Sequence, residues 1–354
     1  MKICMIVPDP MVKGGIAAVV NGYRGSTLEK KNEVTYIESY RDGSKWQKLW
    51  KALCAYAAFR KAVKRERPDV VHIHSSFGPS FYRKLPFILW SAHRGIPVVN
   101  HIHGAEFDTF YENASAGKKK LVGKIYNRCT RLIVLSQEWK NRIGRIVPPE
   151  KIDVIENYCK IPEMPDTEYR AYHHILFLGE LGKRKGCYDI PEILEQVAKQ
   201  VPDVQLIMAG DGEMQQVKAA FADRQLTDKV VFPGWVRGEQ KEKLLRECGI
   251  FLFPSYHEGM PMAVLEAMGY AMGVVTTNVG GIPRLIRDGG NGYLKEPGDV
   301  RALAQAVISL LQNKADCKEM GKRARELAEK EYGLERHLEK LQAVYESAAG
   351  QGKR

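Results

Sequence analysis

Short, β-branched apolar runs alternate with helical stretches along the whole 354-residue chain, and this rhythm restricts the fold more than any single motif does. In the first half the runs are Ile3 to Val7, Val34 to Ile37, Val70 to His74, Val98 to His103, Leu132 to Leu135 and Ile152 to Ile155. In the second half they are Ile175 to Gly179, Val204 to Ala209, Val230 to Phe232, Ile250 to Phe253 and Val274 to Thr277. Strands that are apolar on both faces and separated by helices belong to parallel sheets covered on both sides. The chain is also too long for one typical core. Two doubly wound α/β domains are therefore expected, their carboxyl edges lining a cleft. The polar, proline-containing stretch Lys160 to Arg170 has little periodicity and reads as a linker. It divides the chain into domains of residues 1–165 and 166–333, with one last helix at 334–349.

The run Ile250 to Phe253 is followed by Glu258-Gly-Met-Pro-Met-Ala-Val-Leu-Glu266, two carboxylates eight positions apart. The first lies at a strand's carboxyl end, the edge where open α/β sheets bind ligands. Pro261 suits the first turn of a helix, where its missing N–H costs nothing, and Ala263 to Met272 are good helix formers. The amides of Gly259, Met260 and Met262 then point outward at a positive helix terminus, suited to a phosphate. Glu266 falls roughly 8 Å down this helix from Pro261, at about 1.5 Å per residue. One carboxylate would reach a sugar on one side of the phosphates and the other a nucleoside on the far side. A helix that merely carries two surface glutamates gives the same spacing, so the neighbouring motifs decide between the readings.

Other strand ends carry related features. Gly14 and Gly15 lead from the first strand into a helix and would let backbone approach an anion closely, although neither a dinucleotide fingerprint nor a phosphate loop is present. Lys183, Arg184 and Lys185 sit in a glycine-rich turn after Ile175 to Gly179, where three cations would neutralise a diphosphate. Glycines also interrupt at Gly210 to Gly212, Gly234 and Gly280 to Gly281. His72, His74, His101 and His103 end two strands at alternate positions, which raises a metal-site reading. No carboxylates are grouped with them, and one imidazole in the cleft with the others packed fits the pattern better.

The seven cysteines are scattered and never spaced C-x-x-C, which argues against a disulfide framework or zinc knuckle and for a reduced, cytoplasmic setting. No run approaches the roughly 18 apolar residues of a membrane span. The net charge of +12 implies an acidic partner: nucleic acid, anionic lipid or a phosphorylated substrate. Much of it lies in Lys45 to Lys51 and Arg60 to Arg67, around the apolar stretch Ala52 to Phe59. This segment is either a domain helix with solvated lysines or a basic amphipathic helix for an anionic inner membrane surface.

Taken together, these motifs resemble the retaining glycosyltransferases of family 4, nucleotide-sugar enzymes of GT-B architecture with two Rossmann-like domains. The resemblance rests on Ser255 to Gly269 with its Glu258 and Glu266, on Val274 to Gly281, and on Asp288 to Gly292. Gly14-Gly15, His103-Gly104, Lys185-Gly186 and Gly210 to Gly212 add to it. It implies that residues 1–165 bind the acceptor, that residues 166–333 bind the donor, and that the last helix packs back on the first domain. Glu258 would then hold the transferred sugar and Glu266 the ribose. Amides between Gly259 and Leu265, including Met260, would serve the sugar and β-phosphate. Gly15 would approach the diphosphate, Lys185 would neutralise it, His103 would touch the sugar, and the base would lie near Gly234, Trp235 and Val236. No metal cofactor is implied.

The resemblance also implies transfer of a hexose or N-acetylhexosamine from a nucleotide-diphosphate sugar, UDP above others, to a surface-polysaccharide or polyprenyl-linked acceptor. The protein would be peripheral on the cytoplasmic face of the membrane. One departure stands out, because family members commonly carry Gly-Arg-Leu where this chain has Gly179-Glu180-Leu181. Glu180 should turn away from a diphosphate, leaving Lys183 or Arg184 to supply the second cation. Competing readings are a metal-dependent hydrolase built on the four histidines and a nucleotide-sugar epimerase or sugar phosphorylase of the same fold. Nucleic acid is not expected, since the aromatics are not interleaved with a recognition motif.

Overall fold

The computed structural model describes residues 1–104, 107–168 and 170–352, with the side chains of 108, 351 and 352 outside the description. Ala105 and Glu106, in the loop after His103, and Tyr169, in the polar stretch, thus lie outside the described residues. The chain forms two compact units, Met1–Asn157 with Leu334–Arg354, and Tyr158–Gly333.

Unit 1 contains β1 (Lys2–Pro8), β2 (Glu33–Tyr40), β3 (Val70–Ser75), β4 (Val98–Ile102), β5 (Arg131–Val134) and β6 (Ile152–Val154), in the order β2-β1-β3-β4-β5-β6. All pairings are parallel, with Ile6 opposite both Ile37 and Ile73 and His74 opposite His101. Every residue of β3 and β4 is buried, as continuous apolar runs in a doubly covered sheet require. Phe59, Phe81, Phe87 and Tyr126 pack against one side of this sheet; Phe59 and Phe87 meet at 5.2 Å between ring centres. Each such side chain contributes about 1.5–3 kcal/mol on burial. The helix Leu334–Gly352 closes the other side. Its His337 shares a hydrogen bond with Tyr23 (2.7 Å), its Lys340 pairs with Glu156 (2.9 Å), and its Tyr345 hydroxyl lies 2.6 Å from His72 Nδ1.

Unit 2 contains β7 (Ala171–Leu178), β8 (Gln205–Ala209), β9 (Val230–Gly234), β10 (Cys248–Phe253), β11 (Gly273–Thr277) and β12 (Tyr293–Lys295), also wholly parallel, in the order β12-β11-β10-β7-β8-β9. The order reverses between β7 and β10. Loops leaving such a switch point diverge to opposite faces and open a crevice at the carboxyl edge. Phe177, Phe251 and Phe253 fill the core beside Val264, Leu265 and Met268 of the following helix.

Three details differ from the sequence reading. The stretch 160–170 is not a free linker, because Arg325 donates to the Pro162 and Gly269 carbonyls (both 2.7 Å) and Arg170 donates to those of Tyr270 and Ala271. These bonds tie it to unit 2, which starts at Tyr158 instead of 166. The strand Tyr293–Lys295 was not anticipated; at three residues it has too little pattern to read, and Asp288 fixes it by accepting from the Leu294 amide (2.8 Å) and Lys295 (2.9 Å). The helix after Glu258 runs Met262–Gly269, so Pro261 is its cap and not its first-turn residue.

Candidate active site

Two loops leave the switch point of unit 2 and meet. After β7, Lys183–Lys185 make a single 3-10 turn closed by Gly186 at φ 69°, a left-handed value that favours glycine. A Cβ at Gly186 would collide with the Pro254 carbonyl, so glycine lets this turn stack on the loop after β10. The stacking sets Lys185 Nζ 2.5 Å from Glu258 Oε1. Ser255 Oγ donates to the same oxygen at 2.6 Å, and an Arg184 guanidinium nitrogen lies 3.8 Å from it. Both partners are nearly sealed, the Lys185 side chain 13% and the Glu258 side chain 7% exposed. Burial pulls the Lys185 pKa below its ordinary value while Glu258 pushes it back up. The ammonium also lies 4.7 Å over the Phe253 ring, which favours its charged form.

The far side of the Glu258 loop is braced by β11. The Gly281 amide donates to the Gly259 carbonyl (2.7 Å), and Gly280, at φ 54°, lies where any Cβ would collide with the Glu258 carbonyl. Thr277 donates to the Ser255 carbonyl at 2.5 Å. The loop is thus held by backbone on both flanks, and Glu258 is pre-positioned.

In the helix Met262–Gly269 the Leu265 amide already donates to Pro261 (3.3 Å), and the Leu265 side chain is fully buried. Leu265 therefore has no group to offer a ligand, which corrects the expectation for it. Met260 is likewise buried in its side chain. The amides that the helix leaves without an intrahelical partner are those of Met262, Ala263 and Val264. Four residues on from Met262, Glu266 pairs with Lys241 at 2.6 Å, both only partly exposed.

Glu180 points outward, 66% exposed, and binds Arg184 at 3.0 Å. Arg184 also donates to the His257 carbonyl, whereas Lys183 is exposed and makes no ion pair among the described residues. Lys183 is the uncommitted cation of the turn. Gly234, at φ 78° with open space around it, ends β9; Trp235 after it is 40% exposed and Val236 is buried.

In unit 1, Gly14 takes φ 140° and Gly15 begins the helix Gly15–Tyr23 with open space around both. His103 lies one residue past β4, its amide on the Ser75 carbonyl (2.9 Å) and its Nε2 2.9 Å from His74 Nδ1. That leaves its Nδ1 for any other partner. Loss of water around the ring, reinforced by His337, pushes its pKa down to about 3, so it is neutral at pH 7. His72, His74 and His101 lie deeper, with ligand-capable nitrogens within 4.8 Å of one another and four of their six ring nitrogens without a hydrogen-bond partner. Burial drives all three well below the ordinary histidine pKa. Their exposure is 1% or less, behind Tyr345 and His337 of the last helix, so no substrate reaches them. The hydrolase reading fails on access.

Sequence reasoning missed Ser255, Lys241 and Thr277. Ser255 was legible in principle as a hydroxyl three positions before Glu258. Lys241 was not, since it lies 25 residues before Glu266, on a separate helix.

Comparison with known proteins gives the chain's family and fold. Residues 167–327 match the family model for glycosyl transferases group 1, and residues 16–159 match that for glycosyltransferase family 4. The chain is 28% identical over 293 residues to the amylovoran biosynthesis glycosyltransferase AmsK of Erwinia amylovora, covering 79% of this chain and 70% of that one. It is 26% identical over 324 residues to the UDP-Gal:alpha-D-GlcNAc-diphosphoundecaprenol alpha-1,3-galactosyltransferase of Escherichia coli, covering 84% and 80%. Among solved structures, sucrose-phosphate synthase from Thermosynechococcus elongatus superposes with a TM-score of 0.83 over 99% of both chains at 17% identity, a likeness of fold. The chain is a glycosyltransferase of GT-B fold and belongs to family 4, the glycosyl transferases group 1.

Proposed function

We propose that the protein transfers a hexose or N-acetylhexosamine, with retention of anomeric configuration and without a metal, from a UDP-sugar to a lipid-linked glycan acceptor. The observation that carries this is the Lys185–Glu258 pair, 2.5 Å apart at the switch point and beside a helix start with unpaired amides. A dianionic diphosphate arriving there is met by Lys185, Lys183 and the Met262 to Val264 amides, which stabilise negative charge where a cation otherwise would. Glu258, released from part of its bond to Lys185, accepts from sugar hydroxyls. Glu266 exchanges Lys241 for the ribose hydroxyls, and the base lies along Gly234 and Trp235. For unit 1 the resemblance to family 4 implies roles for Gly15 at a donor diphosphate and His103 at its sugar, and an acceptor-binding function.

The acceptor hydroxyl attacks the anomeric carbon from the face of the leaving group. The bond from that carbon to the β-phosphate oxygen breaks, the new glycosidic bond forms, and the departing diphosphate takes the acceptor's proton. No side chain need act as general base. The UDP-sugar and the lipid-linked acceptor are supported by the E. coli relative, whose name states a UDP-galactose donor and a diphosphoundecaprenol acceptor.

The test is a thermal-shift screen with UDP-, GDP- and ADP-sugars, because a ligand bound only by the folded state raises its melting temperature. A shift with UDP-sugars, weakened by Glu266→Ala, is expected; Glu258→Ala should mainly damage transfer. Absence of a shift with every nucleotide sugar would overturn the proposal, a shift with GDP-sugars alone would reassign the donor, and loss of activity in EDTA would refute metal independence. UDP release without any acceptor would favour an epimerase or hydrolytic reading.

A further inference from the structure

The helix Lys45–Glu66 has a second face that the fold of unit 1 does not use. Ser44 and Gln47 cap its start reciprocally, so the first turn is fixed and not frayed. Its inward residues are Ala55, Phe59, Ala62 and Val63. On the opposite side, Trp46 is 80% exposed, Leu49 52%, Trp50 67% and Leu53 56%. Their spacing makes one apolar stripe on a helix, and four adjacent large apolar side chains in water are more than scattered surface residues.

The same line continues into exposed Arg60, Lys61 and Lys64, so one edge of the helix is apolar for its first half and cationic for its second. No acidic residue occurs from Lys45 to Arg65, Lys61 and Lys64 make no ion pair among the described residues, and Glu66 is bonded to Thr35 (2.6 Å). Beside the stripe runs an apolar groove between this helix and Pro79–His93, lined by Tyr56, Leu85, Pro86, Leu89, Trp90 and His93.

We propose that this face is a docking surface for an anionic phospholipid bilayer. Trp46, Leu49, Trp50 and Leu53 enter the boundary between headgroups and acyl chains while Arg60, Lys61 and Lys64 meet lipid phosphates. Charge complementarity selects this occupant: a second copy would bring the same cations with no acid to receive them, whereas an anionic bilayer offers apolar depth and negative charge in one plane. The proposal rests on the lipid-linked reading of the acceptor for its purpose, and its test is independent of that reading.

The full chain is mixed with vesicles of phosphatidylcholine alone and with a roughly one-to-three mixture of phosphatidylglycerol and phosphatidylcholine, then sedimented, with no donor or acceptor present. Binding to the anionic vesicles and little to the neutral ones is expected, with a blue shift of tryptophan fluorescence. The Trp46→Ala, Trp50→Ala double variant should bind at least about tenfold more weakly. Arg60→Glu, Lys61→Glu and Lys64→Glu should each cost roughly fivefold or more. Unchanged melting temperatures and donor-induced thermal shifts would establish that these variants are folded. No binding by the wild type, equal binding by the variants, or a dimer that dissolves on Trp46 and Trp50 replacement would overturn the proposal. Each of these would leave the transferase reading standing; loss of the donor-induced shift with vesicle binding intact would do the reverse.

Discussion

The two units share a sheet plan, yet they place their polar residues oppositely. In unit 1, His72, His74 and His101 lie within β3 and β4 and are roofed by the last helix. In unit 2, Lys185 and Glu258 lie past the ends of β7 and β10, held by turns. The histidines are kept neutral by burial; the lysine and glutamate are buried too, yet each has an opposite charge. A polar group inside a strand becomes structure, and the same group a few residues later becomes a site.

Acid should separate the units most sharply. His72, His74, His101 and His337 have folded pKa values below their unfolded value near 6.5. Below pH 6.5 the unfolded chain therefore takes up protons that the folded unit refuses, and stability falls as pH falls. Each group costs up to about 1.4 kcal/mol per pH unit between 6.5 and its own folded pKa, so the cluster makes unit 1 the more acid-sensitive of the two. Hydrogen exchange followed by segment should show β3 and β4 opening at a higher pH than β10. Simultaneous opening of both units would break the comparison.

Next in size is Lys185→Ala, which should lower kcat about 10²–10³-fold, as loss of a preorganised charge partner does, with His103→Ala milder. Steady-state transfer with a UDP-sugar and acceptor measures this, and equal losses would erase the distinction between the units. Gly280→Ala should destabilise unit 2 by roughly 2 kcal/mol or more, through a left-handed residue and a backbone collision. A chemical denaturation midpoint reports it, and a neutral result would mean the Glu258 loop is not braced as described. Glu180→Ala should be smallest, within about 0.5 kcal/mol, since exposed ion pairs contribute little. A large rise in activity would instead show that Glu180 opposes the donor.

The sequence made β10 and the Glu258 loop legible because a continuous buried run followed by Gly and Pro has few alternative structures. The same holds for Lys185, marked by its glycines. It did not reveal that the stretch 160–170 is bound, because the groups binding it, Arg325 and the Tyr270 and Ala271 carbonyls, are distant in the chain. The helix Lys45–Glu66 was half legible. Its basic and aromatic character was plain, but which tryptophans faced out depended on the side that met β2 and the core.

Gly186 presses on Pro254 from one flank of the Glu258 loop and Gly280 on Glu258 from the other, so main chain sets the walls of a clasp and Ser255, Thr277 and Lys185 pin what lies inside it. Exchange of the exposed Trp235, on the rim outside this clasp, is therefore expected to leave the carboxylate in place. Given the proposed donor site, donor preference is retunable at that rim while the clasped carboxylate stays fixed, which makes the rim the place to begin redesign.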